Sequence, residues 1–159
     1  MHSWRALLQT GRIIPTSMLG HELIREYYAC FNERRFADAA ELFFDDAVLE
    51  RGPMGQRWQG GAGYLHFAEM WVQAFPDAAL SIVRVEQHGD TICEVDLLLT
   101  GTHLGVFDLG PGGLFKATGA HATLPFRELL EVRIGKITYS SLAFDLHELI
   151  RQLRPGEST

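Results

Sequence analysis

AALSIVRVEQHGDTICEVDLLLTGTHLG, residues 78–105, decides the fold. It reads as two long strands with the turn HGD between them. In the second strand Cys93, Val95, Leu97, Leu99 and His103 fall on one face, and Glu94 and Asp96 on the other. That alternation is the period-two signature of a half-buried strand, since successive side chains point to opposite faces. Two further strands follow, AHATLPFRELLEVR (120–133) and KITYSSLAFD (136–145), joined through IGK as a hairpin. Sequential long strands joined by tight turns pair antiparallel. The stretch FDLGPGGLFKATG (107–119) is a Gly-rich loop, either a mobile lid or a plain connection. LHELIRQL (146–153) is a closing helix.

Upstream, the apolar spacing is helical. Pro15, Thr16 and Ser17 give a helix start, after which Leu19, Leu23, Tyr27 and Cys30 form one stripe and Ile24, Tyr28 and Phe31 its neighbour. NERRF breaks this helix, and FADAAELFF (36–44) predicts a second, closing at Asp45-Asp46. AVLERG predicts a first strand, QRWQGGAG a turn-rich link, and GYLHFAEMWVQAF an aromatic third helix stopped by Pro76. Helices ahead of a run of antiparallel strands define an α+β protein with a mainly antiparallel sheet. The organisation expected is an N-terminal arm at 1–17, one domain at 18–153 and a polar tail at 154–159.

Composition narrows the function. Of the 159 residues 47% are hydrophobic and 21% charged, ordinary for a globular domain. A net charge of −6 argues against a nucleic-acid partner, which would demand clustered Lys and Arg. The two cysteines, Cys30 and Cys93, are too few for a disulfide scaffold and read as small buried apolar residues. No apolar run is long enough to cross a bilayer and the N-terminus lacks a signal-peptide pattern, so the expected compartment is the cytoplasm. There is no P-loop, dinucleotide fingerprint or zinc spacing.

The pieces AFPDAALSIVRVEQHGDTICEV, LLTGTHLGVF, KATG, GKI and FDLHELIRQL follow one another in this order. The chain thereby resembles the SnoaL-like polyketide (ester) cyclases, within the nuclear-transport-factor-2-like superfamily, over about Leu19 to Leu153. The resemblance implies a cone-shaped α+β barrel, a strongly curved sheet wrapped round helices and an open cavity. It implies a homodimer through the outer sheet face and ring closure by an intramolecular aldol step, with no metal or organic cofactor. The partner expected is a hydrophobic, carbonyl-bearing small molecule; neither nucleic acid nor membrane is expected. Such chemistry needs a carboxylate or His in a dry pocket, with a donor facing the enolate oxygen.

Asp145 is the first candidate for that acid–base group, because the family keeps its important acid near the end of the last strand. An Asp just before a helix is also a preferred N-cap. His103, inward by strand parity, is a candidate helper; alternatively its ring holds a loop. Glu128 and Glu131 fall on opposite faces of their strand, and Glu131 is the candidate for the position where characterised cyclases carry a His. An exposed outer charge is the competing reading. Tyr28, Trp58, Trp71, Phe75, Phe107 and His121 are the candidate substrate-binding residues, though most of the aromatic ones also suit a plain core. Two other functions remain open: a non-catalytic small-molecule carrier, and an epoxide hydrolase-type enzyme requiring Arg127 buried between two carboxylates.

Overall fold

The computed structural model describes residues 16–108 and 113–154. Helix α1 (Thr16–Asn32) and the short α2 (Phe36–Ala40) lead into strand β1 (Phe43–Arg51). A single 3-10 turn at Gly52–Met54 and β2 (Gln56–Gln59) precede helix α3 (Gly60–Ala74). Then come β3 (Ala79–His88), β4 (Ile92–Thr102), a two-residue ribbon of β5 (Phe107–Asp108) and β6 (Leu114–Phe115), β7 (His121–Arg133), β8 (Lys136–Phe144) and helix α4 (Leu146–Leu153). The curved main sheet runs β2-β1-β8-β7-β4-β3. Its long pairs β3/β4, β4/β7 and β7/β8 are antiparallel, and β1 joins parallel to β8.

Alternation sets the two faces. Along β7 every second residue from Ala122 to Val132 is buried, and β4 buries Cys93, Val95, Leu97 and Leu99. These rows face α1 and α3, whose apolar stripes supply Tyr27, Tyr28, Phe31, Tyr64, Phe67 and Trp71. Cys30 and Cys93 are both buried free thiols; burial pushes Cys30 up to about 11, so it behaves as an apolar residue.

Several expected elements change. The second helix stops at Ala40, because Phe43 pairs with Ile137 and the Leu42 carbonyl accepts from the Ile137 N–H at 2.7 Å. Sheet pairing outweighs the helical propensity of AELFF. Part of the expected turn-rich link is strand β2, paired antiparallel with β1 from Val48 to Arg51. The Gly-rich loop contains the β5–β6 ribbon, while its tip, residues 109–112, lies outside the described residues. So do residues 1–15 of the expected arm, whose Thr16 and Ser17 belong to α1, and residues 155–159 of the expected tail. No helix among the described residues is long and apolar enough to span a membrane.

Candidate active site

The concave side of the sheet and helices α1 and α3 line a cavity with about 480 Å³ of atom-free space, part of it open to solvent. Only about 50 Å³ of it is wide enough to centre a water molecule. Its wall is almost wholly apolar: Phe31 and Leu80 at one side, Phe67, Ala68 and Trp71 from α3, and Leu97, Leu99, Phe126 and Leu142 from the sheet. One patch breaks that surface.

The patch centres on Glu128, which is 3% exposed. On β7 it takes the inward place between Phe126 and Leu130, so strand parity drives a carboxylate into an apolar row. Tyr27 donates to its Oε2 at 3.0 Å, Tyr28 to Oε1 at 2.8 Å, and Ser140 to Oε2 at 2.5 Å. Arg51, 1% exposed at the end of β1, brings its guanidinium to 3.8 Å from the same oxygen. It donates to Ser140 Oγ at 2.9 Å and lies over the Phe67 ring at 4.7 Å. A buried charge is tolerated only with such pairing and hydrogen bonding. Burial, followed by the neighbouring Glu128 charge, raises Tyr27 and Tyr28 well above the ordinary phenol value. Both therefore stay protonated donors through the physiological range. Tyr64 is raised by the same two causes in the same order.

Three buried donors of this wall have no protein partner: Arg51 Nε, Tyr64 OH and Trp71 Nε1. Among the described residues Glu128 is the one carboxylate lining the cavity.

The expected site residues fall in different places. Asp145 does not reach the hollow. It is exposed, and its Oδ1 accepts from the Glu148 N–H at 3.1 Å as the N-cap of α4. The reason is parity: Asp145 continues the row of Tyr139, Ser141 and Ala143, whose β7 partners Glu131, Leu129 and Arg127 form the outer face. Glu131 also lies outside, accepting from Thr138 at 2.7 Å and Arg133 at 3.0 Å; the Thr138 bond foremost lowers its carboxyl. His103 is fully buried but does not line the cavity. Its Nδ1 accepts from the Thr118 N–H at 3.3 Å and sits 3.0 Å from Thr118 Oγ1. Desolvation lowers its pKa, while the nearby Phe115 and Gly105 carbonyls offset part of that shift. Nε2 itself finds no partner of bonding geometry. The GTHLG segment is a clamp: the Leu104 and Gly105 N–H groups donate to the Ala74 carbonyl, and a side chain at Gly105 would start 2.0 Å from the Gln73 oxygen.

Among the expected binding residues, Tyr28 and Trp71 line the cavity. Phe107 and Phe75 pack behind Trp71 at ring distances of 4.9 and 5.9 Å. Trp58 lies tilted against His66 at 4.3 Å in a separate outer cleft, and His121 is exposed at the start of β7. Arg127 does bridge Asp96 and Glu94, at 2.8 and 3.1 Å, but on the exposed outer face rather than in a buried triad. From the sequence, Arg51 and Ser140 carry no role, Glu128 figures only as the residue facing away from Glu131, and Tyr27 and Tyr64 only as aromatic positions of their helices. For Glu128 the usable signal was parity with Leu124, Phe126 and Leu130.

A model of the family described as SnoaL-like polyketide cyclase matches residues 21–153. The chain belongs to the SnoaL-like polyketide cyclase family. Solved structures agree on the fold. A proposed polyketide cyclase from Xanthomonas campestris superposes with a TM-score of 0.75 at 22% identity, covering 87% of this chain and 98% of that one. A proposed SnoaL-like cyclase from Jannaschia gives 0.74 at 17% identity, covering 89% and 95%. IdmH, a proposed polyketide cyclase from Streptomyces antibioticus, gives 0.70 at 23% identity, covering 84% and 96%. No curated protein matches. As a SnoaL-like domain the chain departs from the expected layout by placing its inward acid in the middle of β7 rather than after β8.

Proposed function

We propose that this protein is a SnoaL-like cyclase-type enzyme that moves a proton at a carbon beside a carbonyl, with Glu128 as the acid–base group. The observation that carries this reading is the position of Glu128 in an otherwise apolar cavity, beside Arg51 and three hydroxyls. In the proposed step a carboxylate oxygen takes the proton from the α-carbon, and the C–H electron pair moves to the carbonyl oxygen as an enolate. In ring closure the enolate carbon then attacks a second carbonyl of the same molecule. A new C–C bond forms, and the resulting alkoxide takes up the proton. A dry wall strengthens each electrostatic contact the enolate makes. The homodimer through the outer sheet face remains part of the proposal. Val83, Leu98 and Pro125 supply apolar surface there, beside the Arg127 and Asp96 charges. Light scattering on the purified protein distinguishes a monomer from a dimer.

One observation favours a second reading, a ligand holder without chemistry. Glu128 already accepts three hydroxyl bonds, so its oxygens are engaged by the protein before any ligand arrives. Exchange of the α-protons of β-tetralone in deuterated water, followed by NMR, separates the two. The enzyme reading expects saturable exchange above buffer that falls about 100-fold or more in Glu128→Gln with the circular dichroism spectrum unchanged. Exchange no faster than buffer in the wild type, with β-tetralone bound, supports the holder.

A further inference from the structure

The polar groups of the cavity are unbalanced. Tyr27, Tyr28 and Ser140 spend their protons on Glu128, and Arg51 donates to Ser140 and to the Glu50 carbonyl. Arg51 Nε, Tyr64 OH and Trp71 Nε1 still have none of their donor capacity used. Their side chains are 1%, 4% and 2% exposed, so bulk water does not supply the missing acceptor. Buried donors in native proteins are almost always paired, and an unpaired one is costly. Arg and Trp side chains can only donate, which rules out their satisfying one another. Tyr64 and Trp71 lie two turns apart on α3, on the cavity wall.

We propose that Tyr64 and Trp71 are ligand-binding residues, each placed to donate to a hydrogen-bond-accepting oxygen, with the rest of the ligand flat, apolar and neutral. The inference rests on the reading of this cavity as the ligand site, but not on Glu128 acting as a base. A neutral ligand follows from charge: Arg51 and Glu128 already offset one another, so an anion or cation would enter an apolar wall without a counter-charge. The flat shape follows from the rings on the wall and from the narrowness of the free space. A carbonyl oxygen, which only accepts, matches such donors. An enolate formed from it would meet the same donors and bind them more strongly, since hydrogen bonds to a charged acceptor are the strong ones.

The test compares β-tetralone with tetralin, its hydrocarbon counterpart, on the full chain by calorimetry or Trp fluorescence. The ketone is expected to bind about tenfold or more tighter, the gain of pairing buried donors otherwise left empty. Tyr64→Phe, which keeps ring and volume, is expected to cut that preference about three- to tenfold while tetralin affinity stays the same. Infrared difference spectra supply an independent readout: the bound carbonyl stretch moves to lower frequency, and part of that shift is lost in Tyr64→Phe or in Trp71→Phe. Equal affinity for ketone and hydrocarbon, no binding of either, or a carbonyl stretch indifferent to both substitutions would overturn the assignment. The outcomes separate from those of the enzyme reading. Ketone preference without α-proton exchange keeps this inference and removes the catalysis; exchange without ketone preference does the reverse.

Discussion

Two carboxylates three residues apart on β7 have opposite lives. Glu128 faces inward, shielded from water, with hydroxyl donors from α1 and β8 and the Arg51 guanidinium around it. Glu131 faces outward and bonds to Thr138 and Arg133 at the edge of solvent. Composition, charge and strand are shared, so the difference comes from parity alone: an odd step along a strand changes face. The same separation holds for two arginines of the sheet: Arg51 on β1 is buried and paired, while Arg127 on β7 bridges Asp96 and Glu94 in the open. Inside, a polar group has to be fully partnered or be held for a ligand; outside, water supplies what the protein does not.

The contrast can be broken by mutation, and the largest effect should come from the inner pair. Arg51→Met leaves Glu128 buried with its main counter-charge gone, and is expected to cost about 3–5 kcal/mol in urea unfolding. Adding Glu128→Gln to Arg51→Met should recover much of that loss, because a neutral amide removes the unpaired charge and keeps an oxygen to accept from the surrounding hydroxyls. A double variant no more stable than Arg51→Met would show that the two groups do not depend on one another.

Asp145→Ala should cost about 1 kcal/mol, as expected for a lost N-cap, and Asp145→Asn close to nothing, since Asn caps as well. Thermal melts of the two variants give this directly. An intact stability in Asp145→Ala would mean that the cap bond contributes little to α4. Smallest of all, Glu131→Gln should change stability by no more than about 0.5 kcal/mol, as surface substitutions do. A large loss there would contradict the outward placement.

His103 adds a pH-dependent test. Burial lowers its pKa in the folded state below the unfolded value of about 6.5. The unfolded chain therefore binds the proton first as pH falls. The stabilising contribution is complete above about pH 6.5 and drains away below it, toward the lowered folded value. Replacing His103 by Gln should flatten the melting temperature between pH 7.5 and 5.5 relative to wild type. Parallel curves for the two proteins would mean that His103 titrates alike folded and unfolded.

Much of this fold was legible in the chain because period-two alternation is a local signal. The two strands of 78–105 and the IGK hairpin stand where alternation put them, and His103 is on the buried face with Leu97 and Leu99. What depends on partners distant in sequence was harder to read. Residues 41–44 look helical until Phe43 meets Ile137, and QRWQ is a strand because β1 lies beside it. The site was half legible for the same reason. Tyr28 and Trp71 follow from apolar periodicity and line the cavity. Asp145 drew attention by its place at a strand end, yet its row with Tyr139, Ser141 and Ala143 pairs with the outer row of β7. Glu128 shares a row with Leu124, Phe126 and Leu130, a conflict between charge and register of the kind that functional or strained sites carry. Arg51, Tyr27 and Ser140 become its neighbours only once β1, α1 and β8 are folded together.

The most direct test sets Glu128→Gln beside Asp145→Asn in the β-tetralone exchange assay, with both proteins shown to be folded. The inner carboxylate should account for the rate: about 100-fold or more lost in Glu128→Gln and less than about twofold in Asp145→Asn. Full exchange in Glu128→Gln with collapse in Asp145→Asn would place the chemistry on the outer acid and contradict the account.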